Sequence, residues 1–519
     1  MENTKADEYF GYTEKGGSFD GEIRAGFTTF LTMAYILLVN PAMLTVAIGD
    51  GTAAGNEQAF ADILFATAVA AFVGCTVMGL WANLPFALAP GMGLNAYFTF
   101  GVVLGMGIAW EVALFAVFVE GILFMVMSLP QVGWRTKMIN AIPTDLKIAT
   151  GAGIGMFLSI IGLREMGWIQ DDGATLVNIA DTERWGSTSY GIPAELDADG
   201  AVITPFIELG NYGLHQEGAI IGMLALIAIA VMMARNIKGA MIIGISVAAI
   251  YGWLVDASDP YNFYFEGAPG WGAATATAPA LGDIISMPSM PEETLMAAFG
   301  DAGMGALEKS NMGDFLLVMI AFLFVDIFDT SGTLYSVGRQ AGYVDENDEL
   351  HNSDEAFMSD AAATIVGAVL GTSTTTTYIE SAAGVEDGGK TGLVAVTVGI
   401  LMLSGLFFSN LFFAIPQYAM ASALVIVGAM MMRQAADIDW NDAEMSLPAF
   451  ITIVMMPFTY SIADGIAWGI ITWVAIKAGM GKWNEINAVM GVLAILMIMF
   501  YIGPGDESTF GWLLGVLGF

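Results

Sequence analysis

The sequence predicts an all-α polytopic membrane protein, and three features of its composition and pattern lead to that prediction. Of its 519 residues, 56% are hydrophobic and only 13% are charged, whereas a soluble domain carries about 25% charged residues. Most of its apolar runs reach the roughly 20 residues that a helix needs to cross a bilayer. Its 63 glycines suit closely packed transmembrane helices, because glycine lets two helix backbones approach each other.

Fourteen apolar segments precede residue 480, and each is a candidate span. The basic residues test this count, because Lys and Arg collect on the cytoplasmic side of a membrane. With the N-terminus in the cytoplasm, 13 of the 16 basic residues fall on that side, and only Arg164, Arg184 and Lys309 do not. The sequence does not decide whether the remaining segment, 485–502, spans. The predicted spans are 25–48, 60–82, 92–104, 110–129, 146–164, 218–234, 239–255, 313–335, 356–371, 379–386, 391–413, 416–432, 446–460 and 461–479.

These spans divide into two sets of seven. The first repeat occupies 1–255, an acidic external loop occupies 256–312, the second repeat occupies 313–479, and 480–519 is a C-terminal apolar segment. An odd number of spans in each repeat inserts the second copy upside down. In both sets the third segment is short and follows residues that resist helix formation. Such matched broken segments mark a transporter's binding site near the membrane midplane.

The charge of the chain is strongly acidic. The formal net charge is −35, from 51 acidic and 16 basic residues, and the acidic residues crowd into 165–217, 256–311 and 345–360. Such a surface excludes nucleic acid as a partner and is repelled by anionic lipid. We interpret it as the exterior of a halophilic protein. The single cysteine, Cys75, excludes an intrachain disulfide.

The first broken segment, 84–98, contains two prolines and two glycines near its centre. Pro85 and Pro90 cannot lie within a helix without losing hydrogen bonds, so the backbone before Gly91 should be extended. A helix can begin near Gly91, which places Asn95 in its first turns. We interpret Asn95 as a site residue, and the alternative is a structural asparagine at a re-entrant bend.

The second broken segment, 371–384, combines a threonine run with a short helix. Four successive threonines, which end at Thr377, favour extended backbone, and the small residues after Glu380 favour a helix. Extended backbone inside a membrane must be surrounded by protein or by water, so we expect the two broken segments to pair. A buried carboxylate is costly, which makes Glu380 a functional candidate. The alternative is that Glu380 only caps the half-helix.

Two further aspartates lie in one predicted span. Asp326 and Asp329 are spaced i, i+3, so they share a helix face and could share a proton. The alternative is that both only bond the backbone of the broken segments. Glu120 lies in the middle of another span, where we predict a structural hydrogen-bonding role. Asp360 lies near a predicted helix start, where we predict a cap.

Motifs of several other protein classes are absent from the sequence. It has no Walker A sequence, no zinc-ligand cluster and no Gly-x-Ser-x-Gly elbow, which argues against ATP-driven transport and against common membrane hydrolases. His215 and His351 lie in or beside polar loops, so we expect no histidine proton relay within the membrane. We predict a transporter that is not an enzyme and that uses no cofactor and no metal.

At these motifs the sequence closely resembles the AzgA-like purine permeases, a branch of the nucleobase–cation symporter (NCS2, uracil/xanthine permease) group. The resemblance runs from about residue 20 to about residue 480, and it is specific because several long strings match in order. The matching strings are Thr28–Pro41 (TTFLTMAYILLVNP), Pro90–Phe98 (PGMGLNAYF), Phe324–Thr330 (FVDIFDT) and Gly371–Val385 (GTSTTTTYIESAAGV).

The resemblance implies a UraA-like fold of fourteen spans in two inverted repeats. Spans 1–4 and 8–11 form a core domain, spans 5–7 and 12–14 form a gate domain, and spans 3 and 10 are each a short strand with a half-helix. It implies secondary active import of adenine, guanine or hypoxanthine by cation symport. We expect protons as the coupling cation, with sodium as the alternative. The expected location is the cytoplasmic membrane, with the N-terminus in the cytoplasm and a homodimer as the wider family's assembly.

The resemblance also carries site residues over to this chain. The coupling proton is expected at Asp326, Asp329 or Glu380. The competing readings are a transporter of uracil, xanthine or a small anion on the same fold, an ion channel, and a membrane enzyme whose three carboxylates hold a metal. The expected substrate-binding residues are Asn95, Asp326, Asp329, Glu380, Gly91, Phe328 and Thr377.

Overall fold

The structure is a computed structural model. Parts of both predicted acidic loops, 165–217 and 256–311, lie outside the residues it describes. The residues described are 5–50, 53–129, 131, 142–172, 176–179, 191–192, 195–196, 202–204, 207–208, 216–255, 257, 278–280, 282–307, 312–344 and 350–501.

Helices account for most of the described chain. Two of them continue as π-helical turns, over Met78–Ala82 after α4 and over Tyr97–Gly105 after α5. The bounds are α1 (Lys5–Phe10), α2 (Phe19–Met33), α3 (Ile36–Ile48), α4 (Ala53–Val77), α5 (Met92–Ala96), α6 (Trp110–Ser128), α7 (Thr144–Glu165), α8 (Gln216–Ala234), α9 (Ala240–Leu254), α10 (Met312–Ala341), α11 (Ser353–Leu370), α12 (Ser381–Glu386), α13 (Gly392–Ser404), α14 (Ser409–Phe413), α15 (Gln417–Met432), α16 (Ala443–Thr459), α17 (Ile462–Gly479) and α18 (Ala488–Tyr501).

Short strands occur in two places. Strands β1 (Leu88–Pro90) and β8 (Thr375–Thr377) belong to the two broken segments and pair with each other. The other described strands lie between α7 and α8 and form three antiparallel pairs. These pairs are β2 (Ile169–Asp172) with β3 (Leu176–Ile179), β4 (Gly191–Ile192) with β7 (Ile207–Glu208), and β5 (Glu195–Leu196) with β6 (Val202–Thr204).

The described helices agree with a multi-pass membrane protein. Eight of them are long and apolar enough to cross a membrane, and five further apolar helices are shorter. Every predicted span contains a helix, or a strand followed by a half-helix. The exact count of fourteen spans stays a prediction. The eight long stretches are Phe19–Ile48, Gly55–Ala82, Trp110–Ser128, Thr144–Glu165, Val318–Arg339, Gly392–Phe413, Gln417–Asp437 and Ile462–Gly479.

The first span is interrupted near its middle. The helix α2 ends at Met33, and α3 begins at Ile36. A turn at Ala34 and Tyr35 joins them, and the side chain of Tyr35 is fully buried. The interruption therefore places a phenol hydroxyl in the interior of the bundle, where it must find a hydrogen-bond partner.

Close helix packing depends on glycine at the contact between α7 and α15. A Cβ atom at Gly155 would lie 2.5 Å from the backbone oxygen of Gly428 and 2.9 Å from the Cβ of Met431. No side chain fits in that space, so the two helix backbones touch directly, as small residues allow in membrane helices.

The undecided segment 485–502 contains the helix α18, which packs against α17. Met490, Leu493 and Ala494 are buried, and the hydroxyl of Tyr501 donates a hydrogen bond to Asp464. The helix is therefore attached along its length to the last predicted span.

Candidate functional site

The two broken segments meet in the interior and satisfy each other's backbone. Strands β1 and β8 pair antiparallel, with Leu88 opposite Thr377 and Pro90 opposite Thr375. The pairing extends beyond the strands, because the Tyr378 nitrogen donates to the Ala87 oxygen at 2.9 Å. Extended backbone in an apolar medium is tolerated only when such partners exist. The sequence-based expectation that these segments pair agrees with this register.

A half-helix begins directly after each strand. The helix α5 starts at Met92, and α12 starts at Ser381. The first backbone N–H groups of a helix have no partner within it, and the helix dipole places partial positive charge there. Both starts therefore favour negative or hydrogen-bond-accepting groups beside the strand pair.

Glu380 occupies the cap position of α12, but its carboxylate does not cap that helix. Its Oε1 instead accepts a hydrogen bond of 2.7 Å from the hydroxyl of Tyr35. The side chain is only 6% exposed. The alternative that Glu380 serves only as a helix cap is therefore wrong, because the carboxylate is held across the interior by another span.

A cavity of about 60 Å³ lies beside this carboxylate. Five of the predicted site residues line it, namely Gly91, Phe328, Asp329, Thr377 and Glu380. A second cavity of about 450 Å³ shares Ile379 and Glu380 with the first. The first space is smaller than an ordinary ligand pocket of about 300–1,000 Å³, and the second continues from it at Glu380.

Asp329 contributes a second carboxylate to the cavity. The hydroxyl of Thr376, from the second broken segment, lies 3.4 Å from its Oδ2 and donates to it. The alternative from the sequence had the aspartates bonding only to backbone, whereas here a side chain is the donor. Asp329 and Glu380 thus present two acceptors to the same small space.

Asn95 and Asp326 do not line this cavity. Asp326 is fully buried on α10, and its Oδ1 accepts a hydrogen bond of 3.2 Å from Thr330. Asn95 is fully buried in α5, and neither atom of its amide has a hydrogen-bond partner among the described residues. The structure therefore separates the predicted site residues into five that line the cavity and two that are buried outside its lining.

Asp360 has a different place from the one that the sequence predicted. Asn352 precedes α11 at its cap position, and Asp360 lies two turns inside the helix, fully buried. Its Oδ1 accepts a hydrogen bond of 3.0 Å from the hydroxyl of Thr377. The capping prediction is wrong, because the helix begins seven residues before Asp360 and the carboxyl group is used to hold strand β8.

Tyr35, Lys147 and Gln434 line the cavity and were not predicted as site residues from the sequence. Tyr35 lies at the interruption of the first span, within a string that resembles the purine permeases. Lys147 lies in α7, and Gln434 lies just after α15. In the sequence analysis Lys147 served only as one of the basic residues that test the membrane topology. No local pattern indicates that its side chain reaches a cavity.

A larger and mostly apolar cavity of about 400 Å³ lies elsewhere. Tyr97, Phe324, Tyr460, Asp464 and Tyr501 are among the residues that line it. Its one carboxyl group, on Asp464, already accepts from Tyr501. The cavity at Glu380 is the better candidate site, because it combines two carboxylates, paired extended backbone and two half-helix starts.

The arrangement suits a small polar ligand that donates hydrogen bonds. Two carboxylates accept, the start of α5 and the strand pair supply backbone groups, and Phe328 and Tyr378 offer aromatic surface. Among the described residues, no group of three or more His, Cys, Asp and Glu side chains could hold a metal ion. The geometry therefore supports binding of a small molecule with N–H groups along an edge.

Comparisons with known proteins agree with this description. A sequence model described as the permease family matches residues 20–184 and 205–468. A guanine/hypoxanthine permease of Bacillus subtilis, PbuG, is 38% identical over 95% of this chain and 99% of its own length. An adenine permease of Escherichia coli, AdeP, is 35% identical over 95% of each chain.

Among solved structures, the chain is similar to the transmembrane domain of the cyanobacterial bicarbonate transporter BicA. The TM-score is 0.53 at 13% sequence identity, and the match covers 88% of this chain and 96% of that one. At so low an identity the likeness concerns the fold alone. It establishes that the helices of this chain have the arrangement of a known membrane transport domain.

Proposed function

The chain belongs to the permease family, within its purine permease branch of the NCS2 group, and we propose that it carries purine nucleobases across the cytoplasmic membrane. It is a transport protein and not an enzyme. The observation that carries the proposal is the carboxylate of Glu380, held by Tyr35 at the start of a half-helix beside a cavity. A purine edge offers the N–H donors that this carboxylate accepts.

The chemistry of the cavity supports a purine as the ligand. A carboxylate takes two adjacent N–H groups side by side, and backbone groups of the strand pair meet the remaining edge of the ring. Phe328 and Tyr378 contact its faces. Analogues that lack an N–H donor are rejected because buried acceptors are then left without partners. The relatives that resemble this chain carry names for adenine and for guanine with hypoxanthine, so all three are candidate substrates.

The coupling cation in this proposal is a proton. Asp326, Asp329 and Glu380 lie in an apolar interior, where an unpaired negative charge is costly. A proton that binds with the substrate neutralises one charge and lowers the cost of moving the site between the two sides. In the expected domain arrangement, the core moves past the gate helices α7 and α15. The core elements at the cavity are β1, β8, α10 and α12, and the gate contributes Lys147 and Gln434 to its lining.

Binding of radiolabelled adenine, guanine, hypoxanthine, uracil and xanthine to the purified protein in high salt tests the proposal. We expect binding of at least one purine, and loss of that binding in Glu380→Gln. The matched control is Glu14→Gln, at an exposed glutamate that lines neither of the two cavities at Glu380. Binding of uracil alone, or of no base by folded protein, would contradict the proposal and favour a pyrimidine or small-anion transporter on this fold.

A further inference from the structure

Glu120 is a buried carboxyl group that does not line the candidate site described above. It lies in the middle of α6 and is 0% exposed. Neither of its oxygen atoms accepts a hydrogen bond from an N–H or O–H donor among the described residues. A carboxylate left in this state is expensive in a protein interior, and more so within a membrane. The predicted structural hydrogen-bonding role therefore lacks the donor it would need.

The nearest polar partner of Glu120 is another carboxyl group. The helix α6 packs against α10, and the side chains of Glu120 and Asp326 lie within hydrogen-bonding range of each other. The Oδ2 atom of Asp326 has no donor either, while Oδ1 accepts from Thr330. Two ionised carboxylates are both acceptors and cannot bond to each other. A hydrogen bond between them requires one proton on the pair.

The negative charges around the pair favour its protonation. The titratable groups around the pair are Asp329, from α10, and Asp360, from α11, and both are acidic. No Lys or Arg in the described parts of the chain forms an ion pair with Glu120 or Asp326. Like charges close together in an apolar interior favour the state in which one of them is neutral.

We propose that Glu120 and Asp326 form a carboxyl pair that binds the coupling proton behind the substrate cavity. The inference rests on the proposed nucleobase transport and adds a site for the cation. On binding, a hydronium ion gives up one O–H bond and becomes water, and its proton forms an O–H bond to one carboxylate and hydrogen-bonds to the other. On release it returns to water, and nothing is oxidised or reduced.

The pair lies one helical turn from the substrate site along the same helix. Asp326 and Asp329 are three residues apart on α10, and Asp329 lines the cavity beside Glu380. A proton on the pair reduces the negative charge next to Asp329. The carboxyl pair and the substrate cavity are separate sites, but they are close enough for a charge change at one to alter the binding free energy at the other.

The test compares Glu120→Gln with the wild type in proteoliposomes, with the membrane potential clamped. A gradient of one pH unit should drive roughly tenfold accumulation of the purine by the wild type if one proton is carried with each neutral substrate. We expect an accumulation ratio near one for Glu120→Gln, with exchange of labelled for unlabelled purine retained. The matched control Glu111→Gln, in the first turn of the same helix, should accumulate like the wild type.

The outcomes separate this inference from the proposed function. If wild-type protein neither binds nor exchanges a purine, the proposed function fails. If the wild type exchanges a purine and Glu120→Gln still accumulates it tenfold, the carboxyl pair is not the proton site. Wild-type accumulation that follows a sodium gradient and ignores the pH gradient also overturns the inference, while nucleobase transport remains.

A second pair of variants keeps the inference testable if Glu120→Gln fails to fold. Glu120→Asp and Glu120→Asn have side chains of the same size, and only the first can bind a proton. We expect pH-driven accumulation by the Asp variant and none by the Asn variant. Equal accumulation by both would contradict the proposed role of this carboxyl group.

Discussion

The hydroxyl of Tyr35 donates a hydrogen bond of 2.7 Å to Oε1 of Glu380, across 345 residues of sequence. One partner lies at the interruption of the first span and the other at the start of a half-helix in the second repeat. Each interruption supplies what the other lacks: a buried phenol needs an acceptor, and a buried carboxylate needs a donor. The bond therefore fixes the orientation of the carboxylate before a substrate arrives.

Removing this donor should weaken substrate binding. In Tyr35→Phe the ring remains, but Glu380 loses the only side-chain donor that the described residues give it. A hydrogen bond to a charged group contributes about 1.5–3 kcal/mol, so we expect the Kd of the bound purine to rise at least tenfold. Equilibrium binding measures the change. Tyr9→Phe, at an exposed tyrosine that donates to the Leu80 oxygen, serves as the control and should bind like the wild type.

The bond between Thr377 and Asp360 should stabilise the strand pair. Thr377→Val keeps the shape of the side chain but removes the donor from a fully buried carboxyl group. A buried acceptor left unsatisfied costs about 1–3 kcal/mol, so we expect a lower melting temperature. Thr452→Val is the matched control, because the hydroxyl of the equally buried Thr452 donates only to the Pro448 oxygen of its own helix. An equal decrease in both variants would argue against a special role for the Asp360 bond.

The backbone contact of α7 with α15 should not tolerate a side chain. Gly155→Ala places a Cβ atom against the Gly428 oxygen and Met431, so the helices must move apart. Overpacking of this kind costs about 1–3 kcal/mol. Thermal unfolding in detergent measures the loss. Gly479→Ala, at the end of α17 where a Cβ would meet no atom within 4 Å, should leave the melting temperature unchanged.

Asp387, just beyond α12, connects elements of the expected core and gate. It accepts from Lys238 at 2.7 Å, from Thr28 at 2.9 Å and from Arg24 at 3.1 Å. The hydrogen bond from Lys238, with weaker help from Thr28 and Arg24, holds the pKa of this carboxyl below its usual value of about 3.9. A lowered pKa in the folded state stabilises the protein above the unfolded value, and the effect is lost as the pH falls through the folded value.

We therefore expect Asp387→Asn to lower stability by no more than about 1 kcal/mol near pH 7, because the partner side chains are largely exposed. The difference from the wild type should stay constant down to about pH 5 and shrink below about pH 4. Melting temperatures over this range measure it. High salt should reduce the difference, and Asp437→Asn, at an exposed aspartate, should give none. A difference that grows on acidification would contradict the assigned direction.

Much of the fold and part of the site followed from local sequence features. Hydrophobic length predicted the spans. The prolines and threonines of the two broken segments predicted extended backbone before Gly91 and in the threonine run, and the structure has strands there at 88–90 and 375–377. The cost of burying a carboxylate identified Glu380 as a candidate, and the structure places it beside the cavity. Local patterns can indicate apolar helices, extended backbone and a buried carboxylate because helix periodicity, proline geometry and desolvation act on residues close in sequence.

The partners of the buried carboxyl groups depended on tertiary structure alone. The sequence offered Asp329 as the neighbour of Asp326, since both lie on one helix face, whereas the packing of α6 on α10 brings Glu120 against Asp326. Likewise, Asp360 was interpreted as a cap but bonds Thr377 of the strand pair. By itself the sequence determined which groups are buried in an apolar medium and therefore need partners. Only the folded bundle decided which partners they have, because those contacts join spans whose relative rotation no local pattern specifies.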